Sequence, residues 1–279
     1  MTLRPDAPPD LIVREASASV VRMPDDASSM SLNTDIGEGY GVWRITDDAA
    51  LLAVVTDANV ACGFHAGDPD ILRRTCEVAA EGGVGIGAQV GFADLRGFGR
   101  RFVQVPRQSL VNDVLYQLGA LAALASVAGT RVTYVKPHGA LYHATTQHDD
   151  YAAAVVEAML AYDSTLALLC QPGTLLARQA RDAGLRHVAE GFVDRAYTPD
   201  GLLVPRGEPG AVVTDLDEAR RRALQMAREG TVDAVDGSTI AMQVESLCVH
   251  SDSPGALEVA TAVRDALRDD GIALRPLSA

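Results

Sequence analysis

The chain has 279 residues, 48% of them hydrophobic and 22% charged, a balance that suits a globular protein and is long enough to fill a single α/β barrel. Its formal net charge of -13 repels phosphate backbones and anionic lipid surfaces, which sets aside nucleic acid and membrane as partners. The N-terminus lacks a basic, apolar leader and no apolar run reads as a bilayer span, so a cytoplasmic protein is expected. Cys62, Cys76, Cys170 and Cys248 are spaced too widely for a CxxC pair, which predicts buried thiols in a reducing compartment.

Residues 1–30 mix Pro, Asp, Ala and Ser and read as a disordered tail, with Met23 or Met30 as alternative starts, ahead of one domain over 31–279. From Leu32 onward, short apolar segments alternate with longer ones of helical period, the pattern of βα units. Strands are expected at 32–37, 58–64, 84–90, 131–138, 166–172, 187–194 and 246–251. Helices are expected at 68–81, 107–128, 148–161, 174–183, 215–229 and 254–269, the first capped by Asp68 with Pro69 in its first turn. About seven parallel strands with helices between them point to an α/β fold, an irregular (β/α) barrel, with a doubly wound sheet as the alternative.

Nearly every expected strand ends in ionisable or hydrogen-bonding residues. They are Asp35 and Glu38, His65 and Asp68, Gln89 and Asp94, Lys136 and His138, Asp194 and Arg195, and finally His250 and Asp252. The C-terminal strand ends of a parallel barrel converge on one face, so these residues should line a single pocket. Taken singly, each is equally well a helix cap or a satisfied core group. Taken together, they would carry costly polar groups into one barrel mouth without a use. Lys136 is the only lysine in a chain that otherwise uses arginine, which points to a place needing a compact ammonium. The segment DLRGFGRR (94–101) joins glycines to Arg100 and Arg101 and suits a carboxylate or phosphate. A Walker GK[ST] step is absent, so any ATP would be held by another phosphate site or by a partner chain.

The series LNTDIGEGYG (32–41), ANVACGFHAGDP (58–69), IGAQVGFADLRGFGRR (86–101), YVKPHGALY (134–142), EGFVDRAY (190–197) and CVHSDSP (248–254) resembles the LamB/YcsF family from about residue 31 to the C-terminus. The resemblance implies a barrel of the glycoside hydrolase/deacetylase-like kind. It also implies the role of the A component of an ATP-dependent 5-oxoprolinase, which works with subunits B and C to hydrolyse 5-oxo-L-proline to L-glutamate. ATP is then the expected cofactor, shared with those partners, a small lactam is the ligand, and a homo-oligomer is left open. Asp35, Glu38 and His65 become candidates for acid/base work, and Lys136 and His138 for stabilising charge on the lactam oxygen or its phosphate. Asp68, Asp94, Arg100, Arg101, Asp194, Arg195, His250 and Asp252 become candidates for binding substrate or phosphate. Against the family's usual residues, this chain has Ser31 for Asp, Gln89 for His and Ser251 for Gly. Two other readings remain. One is a self-sufficient metal-dependent amidohydrolase with Asp35, His65 and His138 as ligands, which Gln89 weakens because a carboxamide ligates transition metals poorly. The other is a lactam-binding subunit that has lost its chemistry.

Overall fold

In a computed structural model of the chain, which describes residues 29–277, the expected strands pair side by side in parallel register. They are β1 (Ser29–Ile36), β2 (Asp57–Ala61), β3 (Gly85–Val90), β4 (Val132–Pro137), β5 (Ala167–Cys170) and β6 (His187–Phe192). After an antiparallel hairpin of β7 (Thr231–Asp233) and β8 (Thr239–Ala241), the chain enters β9 (Ser246–Val249). This strand bonds to both β6 and β1 and closes a seven-stranded barrel, which rules out the open sheet. A short β10 (Ala273–Leu274) adds to the start of β1 from outside. β1 takes in Ser29 and Met30, which the sequence assigns to the tail; the rest of that tail lies outside the described residues.

Eight helices are described: α1 (Asp48–Leu52), α2 (Pro69–Gly82), α3 (Arg107–Val127), α4 (Gly139–Gln147), α5 (Asp149–Tyr162), α6 (Leu175–Asp182), α7 (Leu216–Glu229) and α8 (Ala256–Asp269). α2 starts as its sequence suggests. Asp68 Oδ1 accepts from the amides of Asp70 and Ile71, each at 3.0 Å, and Gly83 ends the helix at φ +66. By length and composition alone α3 is long and apolar enough to cross a bilayer, which the sequence reading passed over. It covers the barrel, burying Leu110, Val114, Leu118 and Leu121, and its buried Gln117 both donates to and accepts from the backbone of Gly91 just past β3.

Alternation along the strands sorts the side chains. Leu32, Ile36, Val60, Ile86, Val90 and Val135 join the apolar core under the helices. Asn33, Asp35, Asn59, Tyr134 and Lys136 meet one another inside the barrel. The Tyr134 ring fills the middle of the barrel because Gly87 has no side chain, a Cβ there falling 2.0 Å from the ring. Its hydroxyl donates to Asn59 Oδ1 at 2.7 Å, and Asn59 Nδ2 donates to Asn33 Oδ1 at 2.8 Å. At the opposite end from the mouth, buried Asp57 accepts from Ser31 Oγ at 2.7 Å, Thr56 Oγ1 at 2.9 Å and the Leu277 amide at 3.2 Å. Ser31 therefore belongs to the barrel floor.

Candidate active site

Lys136 lies on β4 with its ammonium inside the barrel, 3% exposed. Nζ donates to Glu190 Oε1 at 2.5 Å and to Asn33 Oδ1 at 3.1 Å, and lies 3.1 Å from Cys248 Sγ and 3.8 Å from Asp35 Oδ1. Burial opposes the charge, but the acidic groups around it, Cys248, Glu190 and Asp35, outweigh burial and hold Lys136 protonated above the ordinary lysine range. Burial also pushes the Cys248 thiol well above its usual value.

Above this layer the rings of His65 and His138 stack at 3.9 Å, 11° from parallel. Two glycines allow it. A Cβ on Gly99, at φ +65, would stand 2.7 Å from His65 Cβ and 2.9 Å from His138 Cδ2, and one on Gly91 would stand 2.7 Å from His65 Nδ1. The glycine-rich segment around Gly99 therefore braces the imidazoles, where the sequence suggested an anion cradle. His138 Nε2 donates to the Phe98 carbonyl at 2.9 Å, which leaves Nδ1 as an acceptor. Gln89 Nε2 donates to that atom at 3.0 Å, so Gln89 Oε1 faces His65 Nε2 at 3.1 Å and fixes the proton there. Burial, with His65 adjacent, holds His138 well below the ordinary histidine range, and the ring is neutral. Glu38, raised by burial, accepts from Ser251 Oγ on one oxygen at 3.3 Å. Its Oε1 has no hydrogen-bond partner among the described residues, nor has His65 Nδ1.

At the rim, Asp194 accepts from the His250 amide at 3.0 Å and pairs with His250 Nδ1 at 3.0 Å. Burial would raise the Asp194 carboxyl; His250 outweighs it and holds the group below the usual carboxylate range. The His250 ring stacks on Phe192 at 5.3 Å, and its Nε2 has no hydrogen-bond partner among the described residues. Asp252 pairs with Arg100 and accepts from Arg206 at 3.0 Å. Arg100, Arg206 and His250 border a cavity of about 500 Å³, whose lining also includes Asp35, Lys136, His138 and Tyr142. That volume suits a small organic ligand.

Asp35, Glu38, His65, Lys136, His138, Asp194, His250 and Asp252 are thus brought together, with Arg100 at the rim. Three candidates, Asp68, Asp94 and Arg101, are not. Asp68 caps α2 and also accepts from the Gly41 amide. Asp94 caps the turn at 95–97 and pairs with Arg101, whose side chain is 63% exposed. Arg195 is at the mouth, but its guanidinium donates to the carbonyls of Ala211 and Val204 and ties down the loop after β6. Sequence reasoning passed over Glu190, Asn33, Asn59, Cys248 and Arg206. Glu190, Asn33 and Cys248 follow the same period of two as their neighbours Asp194, Asp35 and His250, a signal present in the strands; Asn59 has no such neighbour on β2, and Arg206 sits in a loop and had none. The set able to approach a metal ion is Glu38, His65 and His138, whose donor atoms lie within 4.8 Å of one another. Asp35, expected as a ligand, is engaged by Asn59 at 2.9 Å. As arranged, the set does not fit an ion, because Gln89 already occupies both facing ring nitrogens.

Residues 30–279 match the pattern of the LamB/YcsF family. The chain belongs to the LamB/YcsF family. A relative from Paracidovorax citrulli (strain AAC00-1), named as the A component of 5-oxoprolinase, is 57% identical over 249 residues, 89% of this chain and 99% of the relative. One of the same name from Mycobacterium avium (strain 104) is 55% identical over 248 residues, 89% of this chain and 98% of the relative. Among solved structures, the lactam utilization protein from Thermus thermophilus superposes with a TM-score of 0.86 at 44% identity, covering 89% of this chain and all of that one.

Proposed function

We propose that this LamB/YcsF protein is the lactam-opening component of an ATP-dependent 5-oxoprolinase, hydrolysing 5-oxo-L-proline to L-glutamate as ATP becomes ADP and phosphate. The observation that carries the reading is a protonated, buried lysine beside a carboxylate and a histidine–aspartate pair, all at one cavity of lactam size. An unstrained five-membered lactam resists water because its amide is resonance-stabilised. Phosphorylating the amide oxygen turns it into a good electrophile with a leaving group. The only lysine of the chain is committed to the barrel interior, so ATP would be held by another phosphate site or by partner subunits B and C.

Arg100 and Arg206 share one carboxylate, Asp252, and the surplus positive charge is suited to the substrate carboxylate. Lys136 places a fixed positive charge near the phosphorylated lactam oxygen, where negative charge collects as phosphate leaves. His250, oriented by Asp194, serves as the acid/base group that delivers water and protonates the lactam nitrogen. Asp35, one oxygen of which is held by Asn59, positions the water. His138 has both ring nitrogens occupied and acts as a wall of the pocket, a narrower role than the sequence suggested. The test is ATP-dependent glutamate formation from 5-oxoproline with purified partner subunits. Activity is expected only when this chain is present; partners that turn over with another family member but not with this one would defeat the reading.

A further inference from the structure

We propose that Glu38, His65 and His138 form a latent site for a divalent transition-metal ion, which this chain keeps shut with the carboxamide of Gln89. The inference stands apart from the lactam reading, because it concerns what the three residues bind.

The donor set is nearly in place. Ligands around a tetrahedral zinc ion, each about 2.0–2.1 Å from it, sit about 3.3 Å apart. Glu38 Oε1 lies 3.6 Å from His138 Nδ1 and 3.8 Å from His65 Nε2. An ion would need these gaps closed by a few tenths of an ångström and the two stacked rings, 11° from parallel, splayed so that their lone pairs converge on it. Glu38 Oε1 is buried and has no partner among the described residues, the condition of an acceptor that a cation would satisfy. His65 Nδ1 also has none, so the ring proton can move there and free the lone pair on Nε2.

Gln89 stands in the way. Its amide group is 3.0 Å from His138 Nδ1 and 3.1 Å from His65 Nε2, the same two atoms an ion requires. The Phe98 carbonyl fixes the direction of both hydrogen bonds by holding the proton on His138 Nε2. Withdrawal is obstructed from the backbone as well: Gln89 is fully buried on β3, and Gln117 clamps Gly91 two residues on, so a displaced carboxamide would leave its own polar atoms unpaired. A side chain too short to reach the rings would open the site, and an imidazole in its place would add a ligand.

The experiment titrates the purified full chain with Zn²⁺ and with Mn²⁺ by calorimetry, with bound metal counted by elemental analysis. Gln89→Ala and Gln89→His are expected to take up one ion per chain about a hundredfold more tightly than the unaltered protein, and the double variant Q89A/H65A to lose that gain. Equal affinity of the unaltered protein and Gln89→Ala would overturn the plug; folded Gln89→Ala and Gln89→His that bind no ion would overturn the site. Should the variants not fold, nitrogen-15 imidazole spectra of the unaltered protein decide the matter. The proton on Nε2 of both His65 and His138 is expected, and a proton on His138 Nδ1 would rule out the Gln89 bridge.

Discussion

At Lys136, burial and charge oppose each other inside one barrel. The sequence marks this residue because it is the sole lysine. Without the ammonium, Glu190 and Asp35 lose the cation that faces them in the interior. Lys136→Met is expected to cost about 3–5 kcal/mol in urea denaturation, and Lys136→Met with Glu190→Gln to recover most of it. Equal losses in the single and double variants would refute the pairing. At the rim, Arg206→Ala should raise KM for 5-oxoproline about tenfold, whereas Arg101→Ala, tied to Asp94 outside the cavity, should leave it within about twofold. Asp194 supplies the pH dependence. Its folded pKa lies below its unfolded one, so its contribution to stability is complete above about pH 4 and is lost as pH falls through the depressed value. Calorimetric unfolding of the unaltered protein should therefore fall more steeply below about pH 4 than that of Asp194→Asn. Individual residues were legible where they stood at strand ends. Glu190 escaped because it lies two residues inside β6, and Arg206 because no regular element announces it.

Among the elements, every barrel strand was legible, because each is a short apolar run between helical stretches and its polar residues gather at one end. Shorter pieces were not. α4 begins immediately after His138, and its GALYHATTQ sequence lacks the apolar stripe that separates a helix from a loop, although it buries Leu141, Tyr142, Ala144 and Thr145. α1, the β7–β8 hairpin and β10 are too brief to show a period. The floor of the barrel was hidden for a different reason: Ser31 and Asp57 are far apart in sequence, and only the pairing of β1 with β2 brings them together. Asp57→Ala is expected to lower stability by roughly 1–3 kcal/mol while leaving kcat of the assembled enzyme unchanged, since floor residues of such barrels serve stability. A fall in kcat with undiminished stability would reverse that assignment.

Across the molecule, a chain of net charge -13 carries cationic and hydrogen-bonding groups at one barrel mouth, a contrast that favours a small anionic substrate there. The convergence was readable from strand order, because closing a parallel barrel leaves its C-terminal ends nowhere else to go. Which of the converging groups are free to react was not readable, because that depends on hydrogen bonds between distant residues. His138 and His65 spend their facing nitrogens on Gln89, while His250 keeps Nε2 for a ligand. The decisive measurement is single-turnover glutamate formation from 5-oxoproline and ATP by the assembled enzyme carrying His250→Gln. A glutamine preserves much of the shape but transfers no proton, so the rate should fall by about 10²–10⁴ with the unfolding temperature unchanged. A rate within about twofold of the unaltered enzyme would contradict a reaction centre at this mouth.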